Sequence, residues 1–155
     1  MEFIIIIVGL SLDRLAKIWA GSILMKAQEI VIIKDVFSFS YLENRGAAFG
    51  IFQNKVMILS FVTIIVMLGM IFYLIKYKPA SKLLRLSIAL ILSGALGNLF
   101  DRLYHKYVID FIMFHYKDVY YFPTFNVADI MVVVGTAFLV LYLLKEDSNN
   151  GKIGV

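Results

Sequence analysis

The sequence predicts an all-α membrane protein, a bundle of four transmembrane helices, and three observations carry that prediction. Of the 155 residues, 61% are hydrophobic, where soluble domains run at roughly 45–50% apolar. The mean hydropathy is +0.87. The apolar residues also gather into four runs, at about 3–24, 56–75, 83–103 and 125–144. Each is about 20 residues long, enough to cross a hydrocarbon core of roughly 30 Å. The length suits one integral membrane domain over 1–155 better than two domains.

The first run, "EFIIIIVGLSLDRLAKIWAGSILM", has Glu2 and no basic residue ahead of its apolar stretch, and it carries Asp13, Arg14 and Lys17 inside. It is therefore expected to be a retained first span and not a cleaved leader. The second, "VMILSFVTIIVMLGMIFYLI", is uncharged, as a lipid-facing scaffold helix would be. The third ends in "GALGNLFDRL" and the fourth begins "FNVADI", so both carry acids close to one end.

The connections fix the orientation. "KYKPASKLLR" between spans two and three is short and purely basic (Lys76, Lys78, Lys82, Arg85), which places it in the cytoplasm by the positive-inside rule. Both termini are then cytoplasmic and the other two connections are outside. Total Lys/Arg is equal on the two sides at six each; their density decides. In the first outer loop Phe37, Phe39 and Tyr41 alternate with Ser38 and Ser40, which predicts a half-buried strand. Gly46 and Gly50 would permit a tight turn after it. The second outer loop, about 104–124, is crowded with Tyr, Phe and His, residues that favour the membrane–water interface.

Composition excludes several chemistries. With no cysteine there is no disulfide, thiol nucleophile or thiolate metal ligand. The charge of +4 is explained by basic residues beside spans facing anionic lipid, so nucleic acid is not an expected partner. His105 and His115 lie near Asp101, Asp110 and Asp118, but no HEXXH pattern exists and no metal is expected. Both histidines fall outside the spans or at their border, which argues against a serine–histidine protease. Ser93, beside Gly94 and Gly97, reads as a small packing residue. No phosphate-binding glycine loop is present, and no cofactor is expected.

The polar residues of the spans are ordered. Asn98, Asp101 and Arg102 are spaced to share a helix face, as are Asn126 and Asp129, and Asp13 and Lys17. Intramembrane polar groups face a bundle interior or a wet cavity and usually pair. Antiparallel neighbours would gather these faces into one pocket below the outer surface. Asp110, in "YVIDFI", follows span three closely enough to lie over the start of span four. Two adjacent carboxylates cannot both ionise easily and share a proton, which is the requirement of aspartic proteolysis. Spacing alone leaves a catalytic pair, a structural polar network and an ion pathway all open.

Taken together, "ENRGAAFG" (43–50), "GALGNLFDRL" (94–103), "VIDFI" (108–112) and "FNVADI" (125–130), in this order and spacing, resemble the lipoprotein signal peptidases, also called signal peptidase II. The resemblance covers nearly the whole chain. Asp13 and Lys17 fit the family's Asp-x-x-x-Lys pattern, although "RLA" between them is less typical. The resemblance implies a small β-cradle on the extracytoplasmic side of the four helices. It implies a bacterial inner-membrane aspartic endopeptidase that cuts a diacylglyceryl-modified prolipoprotein before its lipidated cysteine. Catalysis would fall to Asp110 and Asp129, and the substrate pocket to Asn44, Asn98, Arg102 and Asn126. Asp13, Lys17, Asp101 and Gly46 would support them, Asp101 by holding Arg102 or a neighbouring helix. The expected partners are the prolipoprotein and membrane lipid, with the chain a monomer. A proton-linked transporter or channel using the same acids, and a non-enzymatic assembly factor, are the competing readings.

Overall fold

The structure, a computed structural model, describes residues 1–27, 29–46, 52–117 and 119–150. Gly50 and Asp118 of the sequence reading lie outside them. Helix α1 (Glu2–Trp19) runs through a π-helical turn (Ala20–Leu24) into the short α2 (Met25–Ala27). Strands β1 (Glu29–Ile33) and β2 (Phe37–Asn44) follow, then α3 (Val56–Tyr77) and α4 (Lys82–Tyr104). Strands β3 (Val108–Tyr116) and β4 (Tyr120–Tyr121) precede the last helix, α5 (Val127–Asn150). The molecule is thus mostly helical with a small antiparallel sheet in the order β1-β2-β3-β4. Among the described residues three helices, α3, α4 and α5, are long and apolar enough to cross a membrane. α1 turns the charges of its second half toward α4: Asp13 and Lys17 are fully buried, and Arg14 bonds to Asp101.

Helix α4 is the centre of the bundle, in contact with α1, α3 and α5. Its glycines let the neighbours come close. A Cβ at Gly97 would stand 2.5 Å from Asp13 Oδ2 and 3.3 Å from Ala128 Cβ; one at Gly94 would stand 2.8 Å from Val132 Cγ2. Small residues at such contacts are the usual means of helix association in lipid, where no hydrophobic force separates protein from solvent. Ser93 behaves as a packing residue: buried, with its hydroxyl donating to Ile6 O across to α1 at 3.2 Å. Glu2 ties the other end of α1 to Arg85 of α4 through two hydrogen bonds. α3, by contrast, buries only Ser60 and Met67 and turns Phe61, Leu68 and Phe72 outward, as a lipid-facing helix should. Its turn into α4 uses local signals: Lys78 adopts φ 42° at the helix end, and Ser81 caps α4 by accepting from Leu84 N.

The sheet is more extensive than the sequence suggested. Alternation marked only β2. Within it Ser38 is fully buried and Phe37 and Phe39 are half-buried, so the strand is covered on both faces. β3 lies in the stretch expected to be an outer loop, because "VIDFIMFHY" begins as a continuous apolar run with an acid inside and shows no alternation. Its first four residues are all buried, the pattern of a strand enclosed on both sides. Trp19, Phe39 and Phe111 meet edge-on or tilted, with centroids 5.2–6.3 Å apart, and fasten the sheet to the end of α1. A second line of rings, Phe37 on Phe114 and Phe114 on Phe125, continues to the start of α5. There Phe125 does not belong to the helix. It forms an isolated antiparallel bridge with Ile112, donating to Ile112 O at 3.1 Å and accepting from Ile112 N at 2.8 Å. The helix expected from Phe125 therefore begins two residues later, and the bridge sets its first turn against Asp110.

Candidate active site

Asp110 lies in β3 opposite Leu42 of β2, with Asn44 two residues further along β2. Side chains two apart on a strand share a face, so Asn44 reaches Asp110 diagonally: Nδ2 donates to Asp110 Oδ2 at 2.9 Å. The amide is held that way round because Asn44 Oδ1 accepts from Gly46 N at 2.9 Å, an Asx-type turn. Gly46 O in turn accepts from Arg102 Nη2 at 3.4 Å. The glycine expected to permit a turn is thus also a backbone link between β2 and α4.

Asn126 and Asp129 were expected to share a helix face. They do meet, but for a different reason: Asn126 is the cap of α5 and stands outside it. Its Oδ1 accepts from Asp129 N at 2.9 Å, and Asp129 Oδ2 accepts from Asn126 N at 3.1 Å. This reciprocal pair is a capping box built from Asn and Asp, and "NVAD" was its legible sequence signal. The remaining Asn126 group, Nδ2, donates to Asp110 Oδ1 at 2.6 Å and to Asn98 Oδ1 at 3.1 Å. One fully buried amide therefore joins the two aspartates. Asn98 Nδ2 donates to Asp129 Oδ1 at 2.7 Å.

Behind this pair is a buried charged cluster. Lys17 Nζ lies 2.9 Å from Asp13 Oδ2, 2.8 Å from Asp101 Oδ2 and 3.0 Å from Asn98 Oδ1. Arg14 Nη1 completes Asp101 at 2.7 Å and sits over the Phe100 ring at 4.6 Å. Asp101 thus pairs with two cations of the neighbouring helix α1. Arg14, which sequence reasoning passed over as part of an atypical segment, is half of that contact. Two cations and two carboxylates balance, as buried charge requires.

A cavity of about 810 Å³ is lined by Asn44, Asn98, Arg102, Asp110 and Asp129, by Phe122–Phe125, and by apolar residues of α5 including Ile130 and Val133. Asp110 is 1% exposed. Burial, then the nearby Asp129 charge, push its carboxyl up to about 7, against the lowering pull of the Asn44 and Asn126 amides. Asp110 can therefore keep its proton close to neutral pH. Among the described residues no three His, Cys, Asp or Glu side chains gather as a metal site. His105 stacks on Tyr107 and His115 on Tyr121, both away from the aspartates.

Membrane-capable helices under a small sheet, with the buried Asp110 and the half-buried Asp129 lining one cavity, define a helical membrane protein with an acidic pocket. Residues 5–145 match the family model of signal peptidase (SPase) II, and the chain belongs to that family. Bacterial relatives described as lipoprotein signal peptidase are similar over almost their full length. The Clostridium novyi (strain NT) protein is 59% identical, covering 94% of this chain and 99% of its own. The Clostridium acetobutylicum one is 54% identical over 99% and 100%. A bacterial membrane enzyme structure solved by the in meso method at 2.3 Å superposes with a TM-score of 0.87 at 28% identity, covering 96% of this chain and 90% of the other. A second, at 1.9 Å, gives 0.80 at 27% identity, over 93% and 92%. The chain is therefore a lipoprotein signal peptidase, a membrane hydrolase that removes signal peptides from prolipoproteins, and nothing in its relatives supports the transporter reading.

Proposed function

We propose that the peptidase is of the aspartic type, with Asp110 and Asp129 as its catalytic pair. The observation that carries this is the Asn126 bridge, which holds both carboxylates in one cavity with room for a peptide. One carboxylate takes a proton from water while the other, protonated, donates to the scissile carbonyl; their charges and roles then exchange as the amine leaves. The raised Asp110 carboxyl supports a proton shared by the pair at neutral pH, and the pair titrates as one unit.

The asparagines have more to do with the acids than with free substrate. Asn44 and Asn98 line the cavity, but their amide N–H groups are directed at Asp110 and Asp129. Asn126 is fully enclosed between the two. In this reading they hold the acids in register, and Arg102, with its fixed donors, meets the peptide carbonyls. Ile130 and Val133 carry the cavity down α5, where the apolar signal segment or the diacylglyceryl chains of the substrate would lie.

α1 is the fourth span in this proposal, its charges hidden against α4, and the sheet is the cradle on the extracytoplasmic side. The basic connection at 76–85 and both termini are cytoplasmic, in the inner membrane, and one chain forms one integral membrane domain acting as a monomer in lipid. The test is cleavage of purified precursor in lipid, with and without its diacylglyceryl group. The proposal expects scission before the modified cysteine and little on the unmodified precursor. Equal cleavage of both, or ion flux through liposomes with no cleavage, would overturn it.

A further inference from the structure

We propose that Lys17 is the positioning residue of the aspartate pair: it ties together the two acids that clamp the backbone beside each aspartate and turns the Asn98 amide onto Asp129. The inference rests on the reading of Asp110 and Asp129 as the catalytic pair.

The clamp is visible in the hydrogen bonds of the supporting acids. Asp13 Oδ1 accepts from Ala128 N at 3.0 Å, and Ala128 immediately precedes Asp129. Asp101 Oδ2 accepts from Ile109 N at 3.2 Å, and Ile109 immediately precedes Asp110. Each acid thus holds the peptide group next to one aspartate. Lys17 stands between them, bound to Asp13 Oδ2 and Asp101 Oδ2. The two backbone segments that carry the aspartates are spaced through a single ammonium.

The ammonium also donates to the Asn98 amide. An ammonium donates and never accepts, so the Asn98 atom 3.0 Å from Lys17 Nζ must be its oxygen. Asn126 Nδ2 donates to the same oxygen at 3.1 Å. The planar amide then sends Nδ2 the other way, 2.7 Å from Asp129 Oδ1. A flipped amide would set its NH2 against two donors and its carbonyl oxygen against a carboxylate. Lys17 is 0% exposed, with both carboxylates and the Asn98 oxygen within 3.0 Å of its ammonium.

Removing Lys17 alone would leave an uncompensated buried carboxylate, a strongly destabilising change. Lys17→Met with Asp13→Asn avoids that. Arg14 and Asp101 stay paired, and the amide oxygen of the introduced asparagine still accepts from Ala128 N. Relative to Asp13→Asn alone, full-length protein in lipid carrying both changes should lose about 100-fold in kcat on diacylglyceryl-modified precursor. KM should stay within about threefold and Tm within a few degrees. Lys17→Gln with Asp13→Asn keeps a donor for Asn98 Oδ1 and should recover about tenfold of the lost kcat. Equal kcat in the Met and Gln forms, or wild-type kcat in the Met form, would overturn the proposal. Should the Met form fail to fold, the Gln form decides: its kcat should lie about tenfold below that of Asp13→Asn alone at similar Tm, and kcat within threefold of Asp13→Asn alone contradicts the proposal. Asp129→Asn, assayed alongside, separates the two levels. Turnover by that variant sinks the catalytic pair itself, whereas its inactivity beside a fully active Lys17→Met, Asp13→Asn form sinks only the role of Lys17.

Discussion

Asp110→Asn should change the pH dependence of stability in a direction the site geometry fixes. The carboxyl is buried beside a second acid and is pushed up to about 7, whereas an unfolded aspartate titrates near about 3.9. The folded chain therefore keeps this proton after the unfolded chain has lost it. Between those two values folding takes up a proton, so stability falls as pH rises through the window and this group takes no more above it. From pH 5 to pH 8 the window covers about two units, worth about 2–3 kcal/mol at roughly 1.4 kcal/mol per unit. For a chain of this size that is on the order of 5–10 °C in Tm. The substituted asparagine does not titrate. Its own cost, an NH2 facing the Asn44 or Asn126 amide, is the same at both pH values. Thermal unfolding of both proteins in one detergent should thus show the difference, variant minus wild type, growing by 5–10 °C from pH 5 to pH 8. A difference that is constant, or that shrinks with pH, would refute the burial argument for Asp110.

Four further outcomes follow from the same contacts. In wild type, kcat/KM should decline above about pH 7, where the pair loses its shared proton; Asn44→Ala removes a donor that favours the charged form, so this limb should move up by as much as about one pH unit. Gly97→Ala should destabilise by about 1–3 kcal/mol, read as lowered Tm, because the new methyl group falls on Asp13 and pushes it from Lys17. Asn126→Asp keeps an oxygen to cap Asp129 N but sets a third carboxylate against Asp110; kcat should fall at least about 100-fold while the cap, worth about 1 kcal/mol, survives.

What the sequence made legible divides along the range of the forces involved. Length and apolarity define α3, α4 and α5 because a bilayer admits little else of that composition. α1 is harder: Asp13, Arg14 and Lys17 lower its apolarity, and only the fold shows Asp13 and Lys17 paired with each other and fully buried. Local spacing grouped Asn98, Asp101 and Arg102, and Asn126 and Asp129, but mistook one cause. Asn126 and Asp129 were placed three apart on a helix, whereas they form a capping box at its start. β3 was missed because a strand buried on both faces has no alternation to read. The link between Asp110 and Asn126 depends on the Phe125–Ile112 bridge, a contact between distant backbone groups that leaves no mark in composition or period. The part of Arg14 was invisible for the same reason, since its partner Asp101 lies 87 residues away.

The most direct measurement is turnover of diacylglyceryl-modified precursor by Asp110→Asn and Asp129→Asn, each purified folded in lipid. The aspartate pair predicts that either change lowers kcat by about 1,000-fold or more, with precursor still bound. Turnover within about tenfold of wild type by either folded variant would contradict it.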